Sequence, residues 1–200
     1  MNKKREILEI INALLMVIDG KDHYTMSHSL QVMDYAQLIA GLMHLPKRQQ
    51  EAIRIAGFLH DIGKIAIPDN ILQKPGPLTA EEFTKMQTHP EEGAKILGQL
   101  TLFRDVLPMV LSHHERLDGS GYPEGLKNEA IPVGARILAI ADTYSAVTAD
   151  RPYRKAKSNS ECRKILKEQQ GKMDMDIVNL FLSVIDTKGL PAIIPPESFF

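Results

Sequence analysis

The chain has 200 residues, 44% of them hydrophobic, and a formal net charge of −1. That content builds a sizeable globular core and excludes disorder as the default, while near-neutrality argues against a general nucleic-acid coat and leaves only local basic clusters to be judged one by one. The single cysteine, Cys162, leaves no internal disulfide framework and fits a reducing cytoplasm.

The predicted elements are helical almost throughout. The N-terminal stretch MNKKREILEIINALLMVIDG starts basic and turns apolar, but Glu6 and Glu9 interrupt it. Its spacing of Ile7, Ile10, Ile11, Leu14, Leu15 and Ile18 is that of an amphipathic helix rather than a leader. This segment, residues 1–20, reads as a packed first helix or the continuation of one from an upstream regulatory domain. A second helix spans about 25–43, with Leu30, Met33, Ala36 and Ala40 on one face. Pro46 opens a third, 46–60, and the proline-rich IPDNILQKPGPL follows as a loop. Thr79 with Glu82 forms a capping box for a short helix, and Pro90 opens another that ends at Gly98. A helix over 102–114 runs into the pair His113-His114, followed by the longest loop, 115–131. The series closes with helices at 132–149, 158–170 (Ser158 capped by Glu161) and 174–187, then a tail over 191–200. Cys162, in the polar stretch SNSECRKILKE, reads as a surface or half-buried residue. No window holds the roughly 18 apolar residues of a membrane span. The expected architecture is all-α: a single-domain bundle of about seven to nine helices, its main body over residues 21–190.

Seven histidines are present, at 23, 28, 44, 60, 89, 113 and 114. Adjacent helical residues point roughly 100° apart, so His113 and His114 cannot share one core face. Two neighbouring ligands at a bent helix end can reach one ion. Asp142 lies inside the apolar run ILAIADTYSAV, where an unpaired carboxylate is costly; it is either a metal ligand or a hydrogen-bonded buried acid.

Taken together, HDIGK at 60–64, HHERLDGSGYP at 113–123 and RILAIADTYSAVTADRPYR at 136–154 resemble the HD-GYP family. This is a branch of the HD metal-dependent phosphohydrolases. The resemblance runs from about Asp22 to Arg154 and more loosely to Leu182. It implies an HD-type helical bundle and metal ligands at His28, His60, Asp61, His89, His113, His114 and Asp142. In that reading Asp61 bridges two divalent cations: His28, His60 and Asp142 complete one site, and His89, His113 and His114 the other. One carboxylate can span ions roughly 3.5–4 Å apart, as in two-metal hydrolases. Nitrogen and carboxylate donors without thiolate suit iron, manganese, nickel or zinc, and the resemblance favours iron or manganese. Members with a third ion carry a glutamate where this chain has Tyr24, so two ions are expected.

The implied activity is hydrolysis of cyclic di-GMP, by hydroxide activated between the two metals, to linear pGpG and on to GMP. It would belong to a cytoplasmic bacterial signalling enzyme. Asp61 and Lys64 are the expected catalytic residues. Lys64, Arg151 and Arg154 would hold phosphate, arginine suiting a bidentate grip. Tyr122 either contacts the ligand or anchors its loop. Glu115 is a candidate acceptor behind a ligand histidine, and His23 a loop residue beside the site that could serve as a donor there. His44 is a helix-end surface residue. The chain departs from the family pattern at Ser27 and Gln31, in the first motif, and at Ser145, where a second aspartate is usual; Ser145 implies a slow enzyme. Alternative activities are hydrolysis of 3′,3′-cGAMP or of nucleotide phosphates, or a non-catalytic receptor for cyclic di-GMP. Expected partners are diguanylate cyclase (GGDEF) proteins docking on the GYP loop and a second copy pairing through the first helix.

Overall fold

The computed structural model describes residues 9–14, 16–17, 20–21, 23–149 and 155–188. Among these, nine α-helices and three short 3₁₀ turns account for every named element, and no strand is present. The all-α expectation therefore holds. Residues 9–14 are helical, with Ile11 in the core and Ile10 and Leu14 against it. The C-terminal tail over 191–200 lies outside the described residues.

Helix α1 (His23–Leu42) begins two residues earlier than its periodicity suggests, which takes His23 out of the expected loop. The chain then turns at His44, exposed and with a φ of 52°, into α2 (Lys47–Leu59). Pro46 is the N-cap rather than the first helical residue, its carbonyl accepting from Gln49 N and Gln50 N at 2.8 and 2.9 Å. After a 3₁₀ turn, Ile62–Ala66, the segment expected to be a loop contains a short helix, α3 (Asp69–Leu72). Pro68 explains it: its fixed φ starts the turn, and its carbonyl accepts from Ile71 N and Leu72 N. The Lys21 ammonium donates to the carbonyls of Ile65 and Ile67, both at 2.6 Å, and ties the N-terminal segment to this turn.

The capping box of Thr79 and Glu82 opens α4 (Ala80–Met86), and α5 (His89–Leu97) carries Pro90 in its first turn, where a missing N–H costs nothing. The single helix expected over 102–114 is instead a 3₁₀ turn, Thr101–Phe103, and a separate α6 (Leu107–Ser112). Pro108 has no N–H to continue a helix from residue 104, so it starts a new one. The loop that follows is ordered, with a 3₁₀ turn at Asn128–Ala130. Helices α7 (Val133–Thr148), α8 (Asn159–Lys167) and α9 (Met175–Lys188) complete the bundle, α8 opened by the Ser158–Glu161 capping box.

Helix α7 is the axis. Ile137, Leu138, Ile140, Ala141 and Tyr144 are all buried, and α1, α2, α6 and α8 pack around it. A helix apolar on most faces belongs in the centre of a fold. Tyr144 makes edge contacts with Tyr35 of α1 and Phe181 of α9, both at 5.1 Å between ring centroids, and so pins three helices together. Cys162 is fully buried, contrary to its surface or half-buried expectation. The polar stretch around it is polar on one face only, and Cys162 and Leu166, one turn apart, form the inner face. No helix among the described residues is long and apolar enough to cross a membrane.

Candidate metal centre

The centre forms where helices end. His60 follows α2, His89 opens α5 directly after α4, and His113 follows α6. Each of these rings points Nδ1 at the carbonyl three residues earlier: Gly57 O at 2.8 Å, Met86 O at 2.8 Å and Val110 O at 2.7 Å. Those carbonyls belong to the final turns of α2, α4 and α6, where a helix leaves its last four acceptors without intrahelical donors. The helix ends thus supply acceptors for three ring N–H groups, and the bonds fix each ring with Nε2 as its free donor atom.

The structure brings all seven expected donors together. Ligand atoms of His28, His60 and Asp142 lie within 4.8 Å of one another, as do those of His89, His113 and His114; His60, Asp61 and His113 form a third, overlapping group. Asp61, 3% exposed, stands between the two main groups. Its Oδ2 lies 3.3 Å from His60 Nε2 and its Oδ1 3.3 Å from His89 Nε2. Asp142 Oδ1 lies 3.1 Å from His28 Nε2.

This arrangement fits cations on its own chemistry. His60 Nε2 is buried and makes no hydrogen bond among the described residues, although Asp61 is near. The Nε2 atoms of His89 and His113 face each other at 3.3 Å while both Nδ1 atoms are committed to carbonyls. Two neutral imidazoles in that pose direct lone pairs at one another, an arrangement relieved by a positive charge between them. Burial pushes the pKa of His89, His113 and His114 down, to about 3 for His114, so these rings offer lone pairs at neutral pH. Burial acts the same way on His60, but the Asp61 carboxylate outweighs it and the net shift is upward. For the two acids, burial alone would raise the pKa. At Asp61 the Lys64 and His60 charges outweigh it, and at Asp142 the hydrogen bond and charge of His28 do, holding both below the usual carboxylate range. The cluster therefore suggests divalent-cation binding.

Close backbone contacts hold these pieces in register. A Cβ on Gly63 would collide with the His89 carbonyl and Gly93 N, so the glycine of HDIGK lets the turn after Asp61 lie against the start of α5. Gly121 likewise passes over the backbone of His114, Glu115 and Arg116. Glu115, 3% exposed, accepts from Glu124 N at 2.7 Å and Leu126 N at 3.0 Å. It anchors the loop rather than backing a ligand histidine, which corrects that expectation.

Of the other expected site residues, Lys64 places Nζ 2.7 Å from Asp61 Oδ2. Tyr122 lays its ring over His114, 4.8 Å between centroids and 33° from parallel. Burial and the nearby Asp61 and Asp142 charges push its phenol upward, so it is a donor and not a base. Arg151 and Arg154 lie outside the described residues. Sequence reading missed Arg116, whose guanidinium donates to Glu115 O at 2.8 Å and clamps the turn carrying the paired histidines. A lone arginine within a motif gave no signal of that role.

A helical bundle that brings imidazoles and carboxylates from three helix ends and from the interiors of α1 and α7 around a shared aspartate has the arrangement of an HD-type protein. The sequence matches the family described as HD domain over residues 12–177, and the chain belongs to that family, in its HD-GYP branch. It is 39% identical over 197 residues to a cyclic di-GMP phosphodiesterase of Pseudomonas aeruginosa, covering 96% of this chain and 47% of that protein. It is 36% identical over 179 residues to a 3′3′-cGAMP-specific phosphodiesterase of Vibrio cholerae, covering 88% and 42%. The chain thus spans less than half the length of these two relatives. The crystal structure of a cyclic GMP-AMP specific phosphodiesterase of V. cholerae matches with a TM-score of 0.71, over 96% of this chain and 52% of that one. At 16% identity that likeness concerns the fold alone.

Proposed function

We propose that this chain is a metal-dependent phosphodiesterase that hydrolyses cyclic di-GMP to pGpG and on to GMP. One observation carries the reading: the two oxygens of Asp61 face two separate nitrogen-rich groups, each able to hold a cation. In this reading residues 21–190 are the catalytic unit. His28, His60, Asp61 and Asp142 hold one divalent ion, and Asp61, His89, His113 and His114 the other. Iron or manganese suits this donor set, with zinc and nickel as competitors, and Tyr24 in place of a glutamate argues for two ions. When bound, the ions would supply an activated water nucleophile and offset charge on the phosphoryl oxygens.

The chain's own residues do the rest. Lys64, whose ammonium lies against Asp61 with its side chain 23% exposed, can turn to a phosphate oxygen and protonate the departing 3′-oxygen. Tyr122 walls the His114 side and offers its phenol as a donor. Arg151 and Arg154 grip the second phosphate. The GYP loop is the docking face for diguanylate cyclase proteins. A second copy would pair through the first helix, where Met16 and Val17 are 73% and 53% exposed. The setting is the bacterial cytoplasm.

A second reading, hydrolysis of 3′,3′-cGAMP, is favoured by the 36% identical relative that bears that specificity in its name. The test is anaerobic purification, metal quantification and product analysis with both cyclic dinucleotides. Asp61→Ala should abolish metal loading and hydrolysis together, whereas Arg151→Ala should weaken substrate binding with metal content intact. Full hydrolysis by Asp61→Ala would refute the two-metal assignment. Faster release of linear product from 3′,3′-cGAMP would move the substrate to the second reading.

A further inference from the structure

Three of the ligand rings lean on carbonyls at helix ends, but His28 cannot. It lies inside α1, where nearby carbonyls are consumed by the helical ladder. Its Nδ1 instead meets Ser145 Oγ of α7 at 2.9 Å, and Ser145 Oγ donates to Gln31 Oε1 at 2.8 Å. Two pairs of residues one turn apart therefore face each other across the helix interface. On α1 they are His28 and Gln31; on α7 they are Asp142 and Ser145. Asp142 meets Nε2 of the ring and Ser145 meets Nδ1.

A hydroxyl carries one proton. Since Ser145 spends it on Gln31, toward His28 it can only accept, and Nδ1 must carry a proton. Nε2, which donates to the Asp142 carboxylate until a cation binds, is then the nitrogen that exchanges its proton for that cation. With the Gln31 acceptor removed, the hydroxyl is released to donate to Nδ1. The ring then keeps its single proton on Nε2, and the donor lone pair is lost. Ser145 is fully buried and Gln31 half-buried, so water has little access to replace either partner.

We propose that Gln31 and Ser145 are positioning residues that act as a neutral relay, fixing His28 in the tautomer able to bind a cation. This gives two departures from the family pattern, at positions far apart in sequence, one joint role. A relay ending in an amide polarises the imidazole less than a carboxylate would, so it orients the ring without adding charge to the site. The inference rests on the metal-centre reading and is independent of the substrate.

The test is manganese(II) titration of the full chain by calorimetry, in wild type, Ser145→Ala, Gln31→Met and Gln31→Glu. It is paired with metal-free melting curves and long-range ¹H–¹⁵N correlation spectra of the His28 ring. Ser145→Ala and Gln31→Met should weaken one of two manganese ions by roughly 10–100-fold, the usual cost of losing a partner behind a ligand. The His28 spectrum should lose its fixed Nδ1–H pattern, and the metal-free melting temperature should fall by only a few degrees, the cost of one unpartnered buried polar group, with the chain still folded. Gln31→Glu, which keeps the acceptor, should retain both ions. Gln31→Met decides the matter if Ser145→Ala does not fold. Wild-type affinity in both losing variants overturns the relay alone, as does a uniform loss of both ions with a larger fall in melting temperature. A wild type that binds no manganese overturns the metal centre itself.

Discussion

Gly63→Ala tests the registration of the centre without replacing any proposed ligand. Gly63 lies in the 3₁₀ turn and is not among the glycines of positive φ, so alanine meets no left-handed strain there and would gain about 0.4–1 kcal/mol through a less flexible unfolded chain. Against this stands the added methyl, which overlaps the His89 carbonyl and Gly93 N. Both are backbone atoms of α5 and cannot swing aside like the tip of a side chain. Relief requires the turn and the helix to separate by on the order of 1 Å, and overpacking of that kind costs about 1–3 kcal/mol or more. The steric term wins. At the upper end, with about 2–4 °C lost per kcal/mol in a chain of this size, the melting temperature should drop roughly 6–12 °C. The same displacement carries His89 away from Asp61, now 3.3 Å apart, and a misplacement of about 1 Å can cost about 10²-fold in turnover. Manganese titration, thermal melting and hydrolysis of cyclic di-GMP read the three effects. Gly93→Ala is the control, because its Cβ would meet the side chains of Ile62 and Val110 at 3.2 Å, along with Gly63 N at 3.3 Å, and these contacts can yield. If Gly63→Ala melts and binds manganese like wild type, or is no worse than Gly93→Ala, the reasoning fails.

Lys64→Met should lower turnover about 10²–10³-fold, the cost of one donor to developing charge, while manganese binds at least as tightly because the ammonium no longer competes for Asp61 Oδ2. Loss of metal from this variant would contradict that division of roles. Glu115→Gln exchanges an acceptor-only group for one that must oppose an N–H with an N–H at the loop; hydrogen bonds to charged groups are worth about 1.5–3 kcal/mol. The expected result is a several-fold rise in KM with metal content unchanged, and an unchanged KM would show that the loop stands without this tether. Chelator-treated protein should lose stability as pH falls below 6.5. The unfolded chain then protonates its histidines, whereas burial keeps His89, His113 and His114 neutral, His114 down to about 3. His60, shifted upward, opposes this among the described histidines, and the Asp61 and Asp142 contributions fade only once pH falls through the carboxylate range toward their lowered values. A melting temperature that holds steady or rises between pH 6.5 and 5 would refute the neutral-cluster account.

Local rules were legible wherever the signal and its partner lie within one turn. Thr79 with Glu82 and Ser158 with Glu161 form the capping boxes expected of them. Prolines were harder, because the same residue caps, starts or splits a helix according to its neighbours. Pro68 hid a helix inside an expected loop, and Pro108 divided a stretch that reads as periodic. Five of the seven donors stand in the quoted motifs, while His28 and His89 are ambiguous alone and come in only through the resemblance; spacing says nothing of which atoms face one another. Glu115 shows why: an acid beside two histidines invites pairing with them, and its partners are the amides of residues 124 and 126. The contact of Ser145 with Gln31 joins residues 114 apart, and only the crossing of α1 and α7 brings them together.

The use of helix C-termini to hold the rings has a further effect. Those ends carry partial negative charge, and here three of them meet beside two ionised acids. Such a pocket invites metal and turns away a phosphodiester, which is itself an anion. On the proposed function, the cations would therefore bind before the nucleotide, and the polarity they reverse, added to the Lys64 ammonium, would admit it.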